Sequence, residues 1–438
     1  MLHINNNTAV IKREILVRIA KLMLEGKLEE GVHAIPREMA PRSREPMGCC
    51  IFHDREILRM RVIARLGCSL ENYDDEKKLA EYATEALNRQ KPTWPMLTVL
   101  DEACNACVKT HYLVTNGCQA CIARPCMMNC AKKAITIQNH RAVIDKEKCV
   151  NCGLCMNNCP YHAIIKIPVP CEESCPVGAI SKDENGKETI DYHKCIFCGN
   201  CMRNCPFGAM MDKSQLVDVL KHILNKEKIV AMYAPAIAGQ FKASSEQLEK
   251  ALLMAGFAKV YEVAKGADIT ATLEAKEFEE RMARGEKLMT TSCCPAYVRA
   301  VHRHVPELDP CISDTKSPMR YIAELAKKEN PDAITVFIGP CLAKRREGMD
   351  DDNVNYVLSA EELGELLNIY LTKMSDIIMK EKGTIDKYEG DAIVAMVGAP
   401  YAIEDHAKRA CSAAIKIKQE EKELNKQIEF IGSLENYF

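Results

Sequence analysis

Four cysteines, Cys149, Cys152, Cys155 and Cys159, followed by Pro160, recur further along the chain as Cys195, Cys198, Cys201, Cys205 and Pro206. No other feature constrains the fold as strongly. In a C-x2-C-x2-C run, short loops set three thiolates around one face of a [4Fe–4S] cube. The fourth cysteine, with its proline, opens a segment that crosses to a neighbouring cube. A stretch built this way draws its stability from metal rather than from an apolar interior.

The same region holds further cysteines at ligand spacing: Cys104-x2-Cys107, Cys118-x2-Cys121-x4-Cys126-x3-Cys130 and Cys171-x3-Cys175. Sixteen candidate ligands would fill four cubes. The duplicated run resembles a bacterial two-cluster ferredoxin. By analogy, Cys149, Cys152 and Cys155 are expected to share a cube with Cys205, and Cys195, Cys198 and Cys201 with Cys159. Cys118, Cys121 and Cys126 are paired in the same way with Cys175. Cys104, Cys107, Cys130 and Cys171 would close a fourth cube, with a zinc site at Cys104 and Cys107 as the competing reading.

The chain has 438 residues and 24 cysteines, and no apolar leader follows Met1. Thiols serving metal instead of disulfides suit a reducing cytoplasm. The longest apolar stretch, Ile229 to Gly239, is broken by Pro235 and is too short to span a bilayer, so no membrane segment is expected. A net charge of −2 and 5% aromatic residues give no sign of nucleic-acid binding. The cluster Lys344, Arg345, Arg346 reads as a solvated face. Cys49 and Cys50 are adjacent, which is poor geometry for one cube, and read as packing. Nothing in the sequence assigns a role to Cys68, Cys311 or Cys411.

The expected fold class is multidomain, α+β and α/β: a helical region over 1–100, an iron–sulfur arm over 101–212, an α/β domain over 213–365 and a further α/β segment over 366–438. Periodicity predicts helices over Ala9–Leu28 and Asp54–Leu66. Beyond Met211, strands at Ile229–Pro235 and Ala333–Ile338 alternate with helices at Ser244–Ala255 and Pro318–Asn330, a pattern that argues for a mostly parallel sheet. In such sheets reactive groups gather at the carboxyl ends of strands. Two cysteine motifs fall there: Thr291-Ser292-Cys293-Cys294-Pro295 and Pro340-Cys341-Leu342-Ala343-Lys344-Arg345-Arg346-Glu347.

With these motifs the chain resembles the [FeFe]-hydrogenases over residues 1–365. Ala234-Pro235-Ala236, Gly266-Ala267-Asp268 and Asp314-Thr315-Lys316-Ser317-Pro318 support the likeness, whereas Tyr297 stands where many members carry tryptophan. The resemblance implies reversible reduction of protons to H2 with electrons from a ferredoxin or similar carrier. It makes Cys294 and Cys341 ligands of the H-cluster with its di-iron site, Cys293 a proton relay, Lys344 a donor to a di-iron ligand and Glu347 a member of the surrounding hydrogen-bond network. A third family signature, two cysteines three residues apart before a glycine run, is not found after Cys341, where Cys411 is the one cysteine. The expectation is therefore a cofactor site short of two thiolates, unless a second chain supplies them, and little or no hydrogen turnover.

From about Leu366 the chain resembles a different family. A helix is expected over Leu367–Lys382. Lys387-x2-Gly390-Asp391, Gly398-Ala399-Pro400 and the helix opened by Glu404-Asp405-His406 resemble the centre of a class III nucleotidyl cyclase. By that resemblance Asp391 would be a Mg2+ ligand, but no second metal aspartate accompanies it, so neither Mg2+ binding nor cyclase activity is expected. Three readings follow: a hydrogenase-related redox enzyme, a non-catalytic polyferredoxin-type carrier or scaffold, and a redox sensor fused to a cyclase fragment.

Overall fold

The computed structural model describes residues 6–71, 73–104, 107–237, 239–240, 244–364, 377–389, 392–398 and 403–428. Asp391 and most of the helix expected over Leu367–Lys382 lie outside the described residues. The chain forms two bodies: residues 1–100, 196–199 and 210–438 make the first, and residues 101–195 and 200–209 the second.

In the first body, the residues expected as a separate helical region are packed with the α/β domain. Asn6 caps the helix Asn7–Leu24 by accepting the Ala9 amide at 2.8 Å. Ile11, Ile15, Leu16, Ile19 and Met23 form its buried stripe. The chain leaves the helix early because Gly26 takes φ +66°. The strand Leu97–Val99 pairs antiparallel with Met210–Asp212, which joins the first hundred residues to the later part of the chain.

The α/β sheet is wholly parallel, in the spatial order Lys259–Glu262, Ile229–Tyr233, Ile334–Ile338, Tyr356–Leu358. Val230, Met232, Phe337 and Val357 meet Met319, Ile322, Ala323 and Ala326 of the helix Pro318–Glu329 in one apolar core. Gly266, in the helix Ala264–Ala283, permits the closest crossing: a Cβ there would stand 2.2 Å from the Pro318 carbonyl oxygen. Only glycine fits that approach.

A buried charge cluster, not a solvated face, surrounds Arg345. It is 2% exposed, pairs with Asp212 at 2.9 Å and with Glu362, and donates to the Lys213 carbonyl. Arg65, also buried, reaches Asp212 at 3.3 Å. Lys344 is paired with Glu347 and the Arg346 guanidinium lies 4.4 Å from the Trp94 ring centre, so all three cations of this run have specific partners. Consecutive positive charges concealed this in the sequence, because periodicity on so short a helix does not separate inward from outward positions.

The second body is built from hairpins and single-turn helices. Ile135–Gln138 pairs with Arg141–Ile144, Ile180–Lys182 with Glu188–Ile190, and His111–Val114 with Ile164–Ile167, all antiparallel. Among the described residues no helix is long and apolar enough to cross a membrane.

Burial raises the Asp212 carboxyl, but Arg65, Arg345 and Lys12 outweigh it and hold the group at about 2. With an unfolded value of about 3.9, its contribution to stability is present above about pH 4 and is lost as pH falls toward 2. Asp212→Asn is expected to cost about 3–5 kcal/mol at pH 7, because Arg345 and Arg65 lose a buried counter-charge. Urea denaturation followed by circular dichroism should show this, and the variant's stability should vary less between pH 4 and 2.

Candidate metal centres and a proton-handling site

Within the second body, one local structure recurs four times. Cys130, Cys159, Cys175 and Cys205 are each followed four residues later by an alanine whose amide donates to the cysteine sulfur. The pairs are Ala134 at 3.3 Å, Ala163 at 3.4 Å, Ala179 at 3.2 Å and Ala209 at 3.3 Å. The residue before each alanine has positive φ: Lys133, His162, Gly178 and Gly208. Four single-turn helices, Pro125–Met128, Leu154–Asn157, Pro170–Glu173 and Asn200–Asn204, carry the buried cysteines Cys126, Cys155, Cys171 and Cys201. The first two helices pack together, as do the last two.

These repeats arrange the cysteines differently from the expected pairing. Cys118, Cys121 and Cys126 line a cavity together with Cys159, not Cys175. Cys104 and Cys171 are within electrostatic reach of each other and, with Cys107, of Cys205. Cys104, Cys107, Cys171 and Cys205 thus share one neighbourhood, although residues 108–169 separate Cys107 from Cys171 in the chain. The grouping of Cys104, Cys107 and Cys171 was expected; the nearness of Cys205 to them was not, because spacing does not show which distant run lies alongside.

The chemistry of these groups suits iron–sulfur ligation. Burial raises the Cys104, Cys107 and Cys126 thiols, and Cys171 is pushed up to about 12 by burial and then by the Glu188 carboxylate. Such thiols ionise readily only when metal takes the place of the proton. The amide donors at sulfur fit a thiolate that remains anionic after ligation.

In the first body, Cys294 and Cys341 have matching settings. Cys294 precedes the helix Pro295–His304 with φ −102° and ψ 106°; Cys341 precedes Leu342–Met349 with φ −101° and ψ 117°. Both are exposed. Cys341 follows the strand Ile334–Ile338, whereas the Cys293 segment is positioned by a single parallel bridge between Thr290 and Ile312. Lys344 Nζ donates to the Cys293 carbonyl oxygen at 3.2 Å and pairs with Glu347 at 2.7 Å, so Cys293, Lys344 and Glu347 meet.

Sequence reading missed the polar chain behind Cys293. The Ser292 amide donates to Glu274 at 3.1 Å, and its hydroxyl donates to the Thr315 carbonyl. The Ser292 and Thr315 hydroxyls are 3.2 Å apart and those of Thr315 and Ser313 2.7 Å apart; Ser313 then donates to Glu277 at 2.5 Å. Burial raises the Glu277 carboxyl, but hydrogen bonds from Ser313 and the Asp314 amide, with Arg281 at 2.6 Å, hold it below the usual range. The spacing of Glu274 and Glu277 on one helix, with Ser313 and Thr315 on a polar loop, was the available signal.

Elsewhere, Cys68 is buried, raised to about 11 by burial, and its thiol donates to the Tyr82 carbonyl at 3.4 Å, a packing role. Cys49 and Cys50 have their sulfurs 3.9 Å apart. The hairpin of Gly383–Glu389 with Ala392–Val397 forms, and His406–Ile428 is helical.

Residues 227–431 match the family described as iron only hydrogenase large subunit, C-terminal domain; residues 142–165 match a 4Fe-4S binding domain and 170–209 a 4Fe-4S dicluster domain. The chain is 30% identical to iron hydrogenase 1 of Clostridium pasteurianum over 321 residues, 63% of this chain and 53% of that one. It is 32% identical to the periplasmic [Fe] hydrogenase large subunit of Nitratidesulfovibrio vulgaris over 231 residues, 48% of this chain and 52% of that one. The chain thus spans about half the length of these curated relatives. A stretch of 61 residues is 34% identical to adenylate cyclase 1 of Rhizobium meliloti, 14% of this chain and 9% of that one. The matches mark the chain as an iron–sulfur redox protein related to the iron-only hydrogenases.

Proposed function

We propose that this chain is an electron-transfer protein of hydrogenase descent, whose arm carries four [4Fe–4S] cubes fed by a ferredoxin-type carrier. The cavity that unites Cys118, Cys121, Cys126 and Cys159 carries this reading, because it joins three cysteines of one run with the last of another. By the same exchange, Cys149, Cys152 and Cys155 take Cys130. In the interrupted pair, Cys104, Cys107 and Cys171 take Cys205, which leaves Cys175 for the run Cys195, Cys198, Cys201. Sixteen thiolates are then consumed without remainder.

Cys294 and Cys341 are the residues that would hold an H-cluster, which supplies the two-electron chemistry of proton reduction when bound. The protein's own part is proton handling at Cys293. Its thiol is the exchangeable group, Lys344 fixes its backbone, and from the adjacent Ser292 the hydroxyls of Ser292, Thr315 and Ser313 form a hydrogen-bonded chain to Glu277. Two thiolates do not complete a cube that also bridges to a di-iron unit. Hydrogen turnover by the chain alone is accordingly not part of this proposal, and the carrier role is.

Anaerobically reconstituted protein should contain about sixteen irons, four per cube. Cys159→Ala should perturb the cube of the Cys118 run, and Cys175→Ala should leave it intact, as read by Mössbauer and electron paramagnetic resonance spectra of each variant. The reverse pattern would restore the exchange of Cys118, Cys121 and Cys126 with Cys175.

A second measurement addresses hydrogen. With the maturation machinery supplied, reduced viologen should yield no more than trace H2. Robust turnover by the monomer, abolished in Cys293→Ala and Cys341→Ala, would make the chain a complete hydrogenase and overturn the carrier reading.

A further inference from the structure

The arm contains its own internal comparison. After Cys130 and after Cys175 the chain forms the same hairpin, and in each the third cross-strand pair adjoins a cysteine of an earlier run. In one hairpin that pair is Ile137 opposite Ala142, and the Ala142 amide donates to Cys118 Sγ at 3.5 Å. In the other it is Lys182 opposite Glu188, and the Glu188 amide donates to Cys104 Sγ at 3.4 Å. An apolar pair at one position is thus an ion pair at its counterpart.

The ion pair is deeply buried. Lys182 Nζ lies 2.7 Å from Glu188 Oε1, with the side chains 4% and 1% exposed. Lys182 also donates to the Gly186 carbonyl at 3.0 Å. Burying two charges where the sister hairpin uses isoleucine and alanine is no route to extra stability. Such a pair is better explained by its effect on a neighbouring charge.

We propose that the Lys182–Glu188 pair holds the reduction potential of the cube ligated by Cys104, Cys107, Cys171 and Cys205 below that of its counterpart at Cys118, Cys121, Cys126 and Cys159. The inference rests on the ligand sets proposed above. Each cube takes up one electron on reduction, so a fixed charge beside it enters directly into its potential, and burial leaves that charge poorly screened. The Glu188 carboxylate belongs to the same residue whose amide binds Cys104, and Glu172 adds a second carboxyl beside Cys171. Glu188 outweighs Lys182 at Cys104 and acts on Cys171, whereas Lys182 is the stronger of the two at Cys107, so the negative end of the pair acts chiefly on Cys104 and Cys171. Amide-to-sulfur bonding is alike at Cys104 and Cys118, so that bond does not distinguish the two sites, whereas the buried pair does. Lys182 and Glu188 are positioning residues, acting on the cube through space.

The test is a mediated redox titration of the reconstituted full chain, followed by electron paramagnetic resonance. Glu188→Gln should move the midpoint of one cube to a more positive potential and leave the others in place. Lys182→Ile combined with Glu188→Ala, which copies the sister hairpin without changing net charge, should move the same midpoint upward. The reverse graft, Ile137→Lys with Ala142→Glu, should lower a different midpoint, and it decides the matter if the first graft fails to retain its cube. Full iron content with every midpoint unchanged in both grafts would overturn the inference and leave the cube assignments standing. Wild-type protein that binds fewer than four cubes under full reconstitution would instead overturn the ligand sets, and this inference with them.

Discussion

The amide-to-sulfur hydrogen bond four residues beyond the last cysteine of each run is the interaction on which the arm depends. It closes a turn that places a residue at positive φ and leads into the hairpin or strand that follows. The short helices add the other fixed point, because each buries the third cysteine of its run. With little apolar interior available, these two devices prepare the ligands for the metal that completes the fold.

The first body uses a different logic. There the parallel sheet is stabilised by ordinary apolar packing, and Cys294 and Cys341 stand at the starts of two helices with nearly the same backbone angles. The buried cluster of Arg345, Asp212 and Glu362 lies one residue from Lys344 in sequence. A helix anchored through Arg345 holds Lys344 and Glu347 in register with the Cys293 carbonyl.

Legibility in the sequence followed how local each signal was. The duplicated run was plain because its spacing is contiguous, and the parallel α/β alternation followed from apolar strands between amphipathic helices. That Cys159, and not Cys175, lines the cavity of Cys118, Cys121 and Cys126 was not foreseen, because contact between runs is a long-range property. Arg345 looked like a surface charge because its counter-ions, Asp212 and Glu362, are distant in the chain or on another element. Glu277 and Ser313 were overlooked for the same reason: neither is unusual until the fold brings the Ser313 hydroxyl and the Asp314 amide onto the Glu277 carboxylate.

In the ligand sets proposed above, the nesting of residues 108–169 between Cys107 and Cys171 would also impose an order of assembly. Cys118 through Cys159 emerge from synthesis as one continuous block, and their pairings span short stretches of chain. Cys104 and Cys107 emerge earlier but have no partners until Cys171 and Cys205 have been made. Loop closure and contact order both favour the inner block. As the chain grows, the inner pair of cubes can form while the outer cysteines still wait, so the first ligands to be synthesised are among the last to be filled.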